Sequence, residues 1–469
     1  MRLFAFGYGV YMRDSFARRY ARVRPAAAAL LLLGALAGCG NNNSAYTYIA
    51  PNSVVVADFN GDGYPDLAVA SAQINQLVTT EQQGFVAVVL QNASSPGTFA
   101  ASVHYPTDGN PFAMAAGDLN HSGAAGLAVA NFNKSTISVL LQTSPNAGTF
   151  KPEVSVPTGT SSYGASSPSD VAIADVNGDG YNDLVVADGD ISGGGLIVIL
   201  QNPSSPGTFG APTETLFTIN SDCTGCTAPN SAYGIAAGSL TSTSATAPPD
   251  VVLTSWQEAT GDDGTLTIFL HDPANPGKFL APINMSVPGE LHRVKIVDVN
   301  GDGRPDIVLD NEGPDENDLG AEGIEVLINT TPSGATTPTF YTPITYTQST
   351  ATDAPGFYPP ISLAVAPLSP SSTLPDIVWT SSDPPSSEGG AGTMQILFNS
   401  TTTPGVFDTS NTTTMGSYSG LGNPVSVAIG DLNHSGYPSI ATADATGVAV
   451  YFQESSSAGT FNAAELVGG

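Results

Sequence analysis

Basic residues are scarce in this chain: its 469 residues carry 12 Lys and Arg against 41 Asp and Glu, for a formal net charge of −29. A surface of that sign argues against nucleic acid and against binding anionic lipid by charge, and leaves cations or basic ligands as natural partners. Cysteine is nearly absent, with only Cys39, Cys223 and Cys226. The last two, in Ser-Asp-Cys-Thr-Gly-Cys-Thr, lack a βαβ context for a catalytic dithiol, a following His for haem attachment and further ligands for zinc. In an exported chain they predict a small local disulfide. The five histidines, His104, His121, His271, His292 and His434, are scattered, and there is no Ser-centred nucleophile elbow, His-rich zinc motif or sialidase-type Asp box.

Long apolar runs are missing too, save one. Ala26 to Ala37 is a twelve-residue Ala/Leu run behind Arg18, Arg19, Arg22 and Arg24, and it ends in Leu36-Ala37-Gly38-Cys39. It is too short to span a bilayer comfortably and has the basic flank and small-residue end of a secretory signal. The Leu-Ala-Gly-Cys box resembles a bacterial lipoprotein signal, which implies that residues 1–38 are cleaved and that Cys39 becomes the lipid-carrying first residue. Residues 39–50, with Asn41, Asn42 and Asn43, then form a tether. No Asp follows Cys39, and in diderm lipoproteins this pattern implies the outer membrane. Cleavage removes six of the twelve basic residues and one of the forty-one acidic ones, leaving a net charge of about −34.

What the chain has in abundance is a repeat. One nine-residue acidic turn occurs three times: Asp58-Phe-Asn60-Gly-Asp62-Gly-Tyr64-Pro-Asp66, Asp175-Val-Asn177-Gly-Asp179-Gly-Tyr181-Asn-Asp183 and Asp298-Val-Asn300-Gly-Asp302-Gly-Arg304-Pro-Asp306. A second marker, Gln91-Asn92 to Pro96-Gly97-Thr98-Phe99, recurs at Gln142 to Phe150, Gln201 to Phe209, His271 to Phe279, Asn329 to Phe340, Asn399 to Phe407 and Gln453 to Phe461. Each marker follows a short β-branched apolar run, and each acidic turn lies between two more such runs, so one unit holds four strands. Seven units of about sixty residues fill residues 51–469 without a helical pattern. Four-stranded units repeated radially predict an all-β fold, a seven-bladed β-propeller. The blades begin near Val54, Met114, Val171, Ile235, Val294, Leu363 and Val427. No strand is shared across the ring joint unless Tyr46 to Ile49 adds one. Closure is therefore expected from face packing of the first and last blades.

These motifs resemble the FG-GAP and VCBS repeats, the family that includes the propeller of integrin α subunits. The resemblance implies a Ca²⁺-binding turn between the first and second strands of a blade, on one rim, with ligands engaging the opposite rim.

Oxygen side chains at turn positions 1, 3, 5 and 9, with Gly at 6, suit a hard cation on their own chemistry. About three Ca²⁺ sites are expected, with side-chain ligands Asp58, Asn60, Asp62 and Asp66; Asp175, Asn177, Asp179 and Asp183; and Asp298, Asn300, Asp302 and Asp306. Tyr64, Tyr181 and Arg304 at position 7 would each offer a backbone carbonyl. An EF-hand is excluded because position 12 is Val69, Val186 or Leu309 where Glu is needed. Blades 2 and 7 keep Asp118 and Asn120, and Asp431 and Asn433. They carry Ser122 and Ser435 at position 5, Gly126 and Ser439 at position 9, and His121 and His434 at position 4. Blades 4 and 6 keep only Asp250 and Asp376.

On the rim opposite the turns, Trp256, Trp379 and the fifth-blade loop with Asp315 and Glu316 form a candidate ligand site, for a sugar by stacking or a cation by charge. The leading functional expectation is a calcium-binding, lipid-anchored, non-catalytic module for a protein or carbohydrate ligand. The alternatives are a secreted propeller hydrolase or lyase acting on polysaccharide, and a structural envelope scaffold. A quinone-dependent dehydrogenase would need tryptophan docking motifs in every blade.

Overall fold

The computed structural model describes residues 47–75, 83–161, 164–189, 194–216, 231–242, 247–256, 263–312, 323–332, 335–347, 360–369, 372–381, 393–415, 424–444, 447–453 and 460–467. Residues 1–46, among them Cys39, and Cys223, Cys226, Asp315 and Glu316 lie outside them, as does the side chain of Trp256.

Among the described residues every regular element is a strand, and the strands form seven four-stranded antiparallel sheets beside one two-stranded hairpin, Thr160–Ser161 with Gly164–Ala165. Blade 1 runs Thr47–Ala57, Asp66–Asn75, Gln83–Val89 and Val103–Thr107, in simple up-and-down order. Blades 2 to 7 repeat this order from Pro111, Pro168, Ser231, Leu291, Pro360 and Ser426.

The apolar runs become strands because each blade is covered on both faces, so they need not alternate polar with apolar. The second strands Gly126–Asn131, Asp183–Asp188, Asp306–Asn311, Asp376–Ser381 and Ser439–Asp444 are buried at every position. Seven hydrophobic clusters result, one at each interface between neighbouring blades. Truncating one of their fully buried leucines would cost about 2–5 kcal/mol.

The ring closes without a shared strand. Val54, Leu67, Val69 and Val89 of blade 1 share one cluster with Leu432, Ala441, Ala443, Val448 and Val450 of blade 7, and Val54 N donates to Ser426 Oγ at 3.1 Å. Thr47, Tyr48 and Ile49 pair with Asn75, Ile74 and Gln73, so this segment lengthens the innermost strand of blade 1. Small residues at the end of the innermost strands let the blades approach the axis: a Cβ on Gly238 would lie 2.7 Å from Ile296 of the next blade.

Six innermost strands share an irregularity near their start, at Pro51/Ser53, Pro111/Ala113, Pro168/Asp170, Ala232/Ile235, Leu291/Val294 and Pro360/Ser362. Four of the six begin at proline, which has no N–H to lose where pairing breaks. The irregularities lie on the rim opposite the acidic turns.

Candidate metal centres on one rim

Each acidic turn joins the innermost strand of a blade to the second strand, and the three intact copies hydrogen-bond in the same way. In the first, Asp58 Oδ1 accepts from Gly61 N at 2.6 Å and Asp62 N at 3.2 Å, while Oδ2 accepts from Gly63 N at 2.8 Å. Asn60 Oδ1 accepts from Asp62 N at 3.0 Å, and Asp62 Oδ1 from Tyr64 N at 2.9 Å. The turns at Asp175 and Asp298 repeat every one of these bonds to within 0.1 Å. Gly63, Gly180 and Gly303 take φ of 84°, 87° and 83°, which an L side chain resists.

Two anchors hold the turn from beneath. Position 2 is apolar and buried in all seven blades, as Phe59, Leu119, Val176, Leu240, Val299, Leu368 and Leu432. Position 9 is a fully buried carboxylate: Asp66 Oδ2 accepts from Phe59 N at 2.9 Å and Oδ1 from Gln91 N at 2.7 Å. Asp183 and Asp306 do the same with Val176 and Gln201, and with Val299 and Asn329.

The second marker lies on the same rim, bridged Gln91 to Phe99 and likewise in the other blades, and it meets the acidic turn of the preceding blade. A Cβ on Gly148 would stand 3.1 Å from Asn60 Cβ, one on Gly277 3.4 Å from Asn177 and one on Gly405 2.9 Å from Asn300. Gly148 N also donates to Phe59 O at 3.1 Å. An ion in one turn would therefore stiffen an interface as well as a loop. This interlock was missed in the sequence. Both motifs were visible there, but nothing in their spacing says that a marker touches the turn of its neighbour.

The degenerate turns keep the scaffold. Asp118 accepts from Ser122 N and Gly123 N, and Asp431 from Ser435 N and Gly436 N. His121 and His434 replace glycine at φ of 55° and 52°. Their rings lie on position-7 tyrosines of neighbouring intact turns, His121 on Tyr181 at 4.5 Å and His434 on Tyr64 at 4.2 Å.

The intact turns carry unbalanced negative charge. Burial, with smaller contributions from Asp62 and Asp58, pushes the Asp66 carboxyl up to about 6. Burial likewise raises Asp183 to about 7, with Asp179 and Asp175 adding to it, and Asp306 to about 6, with Asp298 and Asp302. Bonds from Gln91, Gln201 and Asn329 N–H oppose these shifts without cancelling them. The third turn alone has a side-chain cation of its own, Arg304, whose guanidinium pairs with Asp302.

An all-oxygen set with three carboxylates fits Ca²⁺ in chemistry and charge. As arranged, the three carboxylates of a turn do not bring one oxygen each within 4.8 Å of the others, and among the described residues the one trio that does is Glu290, His292 and Glu312. A carboxylate has lone pairs beyond those its amide bonds use, so accepting an ion asks only that the three carboxylates draw closer together.

On the opposite rim the expected aromatic pair is not assembled. Trp379 is 2% exposed in the core between blades 5 and 6, where it pairs with Leu363 and Gln395 in mid-strand. The reason is general to these blades: a second strand buried on both faces commits its side chains to a core. Trp256 ends the strand Asp250–Trp256 on that rim.

A closed ring of seven four-stranded blades with acidic turns on one rim defines a β-propeller. Residues 50–89 match the FG-GAP repeat and residues 249–309 the FG-GAP-like repeat. These two matches, together with the seven-bladed ring, support an FG-GAP-type repeat propeller. No curated protein matches it in sequence. Similar solved structures include BBS1N in complex with ARL6DN, soaked with mercury, at 9% identity and a TM-score of 0.48 over 89% of this chain and 97% of that one. The Dos1 propeller aligns at 10% identity and a TM-score of 0.43, over 84% and 90%. The exotype rhamnogalacturonan lyase YesX aligns at 13% and 0.41, over 86% and 72%.

Proposed function

We propose that this chain is a calcium-stabilised, non-catalytic binding propeller carried on the cell envelope by a lipid on Cys39, with a protein or carbohydrate as its ligand. The observation that carries the calcium part is the identical build of three turns, each with three carboxylates and one asparagine on a fixed scaffold. Mutual repulsion of those carboxylates is relieved by a divalent ion. Each ion also braces the marker of the next blade through Asn60, Asn177 or Asn300, so the rim with the turns serves the ring and the other rim is left for recognition.

Equilibrium dialysis with radioactive Ca²⁺ tests the first half: close to three ions are expected per chain, and one fewer for each of Asp62→Ala, Asp179→Ala and Asp302→Ala. Uptake of no ion at millimolar Ca²⁺ contradicts it. Fractionation of cells expressing the chain tests the anchor, with wild type in the outer membrane and Cys39→Ser released from it. A glycan array and an envelope pull-down address the ligand; turnover of an envelope polysaccharide would replace the binding role with a catalytic one.

A further inference from the structure

The innermost strand of blade 5, Leu291–Val297, breaks register between Leu291 and Val294. A bulge of this kind re-aims side chains, and here it re-aims His292 and Arg293. Asp310 Oδ1 accepts from His292 N at 3.2 Å and from Arg293 N, which fixes the bulge from the neighbouring strand. Thr254 Oγ1 donates to His292 O at 2.5 Å from blade 4. Ahead of the strand, Gly289 takes φ of 110°, and a Cβ there would collide with the Asn311 side chain, whose Nδ2 donates to Pro288 O at 2.7 Å. Glu312 N then donates to Glu290 O at 2.8 Å, tying the two glutamates backbone to backbone.

The side chains placed by this framework converge. Glu290, His292 and Glu312 each offer a ligand atom, and these atoms lie within 4.8 Å of one another. His292 Nδ1 is 3.0 Å from Glu312 Oε1. The imidazole is 2% exposed and is oriented by Tyr233, whose ring meets it edge-on at 4.7 Å and 74°. The Glu312 side chain is 11% exposed and Glu290 is partly exposed, so the cluster reaches solvent on the Glu290 side.

We propose that Glu290, His292 and Glu312 form a site for a borderline divalent ion, Zn²⁺ or a first-row ion of similar preference, on the rim opposite the acidic turns. The donor set decides the class: one imidazole nitrogen and two carboxylate oxygens suit Zn²⁺, whereas Ca²⁺ takes oxygen. With bonds of about 2.0–2.2 Å to nitrogen and oxygen, ligands of a tetrahedral ion stand about 3.3–3.6 Å apart, so His292 and Glu312, at 3.0 Å, need open only slightly to hold one. Three protein ligands leave a fourth position on the open side for water or for a donor of a bound ligand. Arg293 leaves this cluster for the axis, with Nη1 3.2 Å from Asp170 Oδ2 and its guanidinium 5.7 Å from the Phe112 ring centroid. It is thus committed to Asp170 and Phe112. The site shares no residue with the acidic turns.

The full chain, stripped of metal and returned to excess Ca²⁺ so that the acidic turns are filled, is titrated calorimetrically with Zn²⁺. One equivalent is expected that the isosteric double variant Glu290→Gln/Glu312→Gln binds at least tenfold more weakly, with its melting in Ca²⁺ unchanged. If the double variant melts early, the partly exposed single variant Glu290→Gln carries the comparison, again with a tenfold loss expected. Cu²⁺ bound in the same pocket should show coupling to one imidazole nitrogen, lost in His292→Asn. Absence of Zn²⁺ uptake in the wild type, or equal affinity in wild type and the glutamine variants, would overturn the proposal.

Discussion

In blade 1 the buried carboxylate of Asp66 sits beneath an acidic turn, whereas in blade 6 Asp376 occupies the same place with no such turn above it. Asp376 nevertheless accepts from Leu368 N at 2.8 Å and from Asn399 N at 2.7 Å, as Asp66 does from Phe59 N and Gln91 N. Asp250 in blade 4 repeats the pattern with Leu240 N and His271 N. The ninth position therefore serves the fold first: it clips the end of the innermost strand to the start of the marker. What sets blades 1, 3 and 5 apart is the exposed carboxylate at position 5 and the glycine at position 4, and the ion would act there.

The largest effect expected from this comparison is that of Asp376→Ala, which strands two buried amides. At about 1–3 kcal/mol each, the loss is about 2–6 kcal/mol, the same in chelator and in Ca²⁺ when followed by urea unfolding. A calcium-dependent loss there would erase the distinction between the blades. Next comes Asp62→Ala, which removes an exposed carboxylate and no buried bond. Its stability in chelator should match wild type, while at free Ca²⁺ a hundredfold above the dissociation constant it should forgo about 2.7 kcal/mol.

A smaller effect is set by pH. Asp66, Asp183 and Asp306 are pushed up to about 6, about 7 and about 6, so the folded chain holds these protons longer than the unfolded chain does. The stability they contribute is present below the ordinary carboxylate range and is lost as pH rises through about 6 to about 7. Bound Ca²⁺ would take the place of the protons, so the difference in melting temperature between calcium and chelator should widen from roughly pH 5 to pH 8. A constant difference across that range contradicts the assignment. The smallest effect is expected at Arg304, an exposed partner of Asp302. Such pairs contribute about 0.2–1 kcal/mol, so Arg304→Ala should tighten calcium binding in the third turn by no more than about fivefold.

Much of this molecule could be read from its residues. The recurring Gln-to-Phe marker and the acidic turn gave seven units, and Val54, Met114, Val171, Ile235, Val294, Leu363 and Val427 all fall on innermost strands. Ring closure by facing blades followed from the absence of a leftover strand. The site was less legible. Trp379 is expected on the rim from its sequence position, yet the strand Asp376–Ser381 continues past it inside a two-faced core. The turn-to-marker contact between Asn60 and Gly148 lies between blades, which a one-dimensional repeat does not display. His292 looked like one of five scattered histidines, since only the bulge and the register with Asp310 bring it to Glu312.

The most direct test of the calcium account is thermal melting of the wild-type chain and of the triple variant Asp62→Ala/Asp179→Ala/Asp302→Ala, each in chelator and in excess Ca²⁺. The account predicts a large calcium-induced rise in the wild type, nearly none in the triple variant, and coincident melting of the two in chelator. Equal melting of the wild type with and without Ca²⁺ would contradict it.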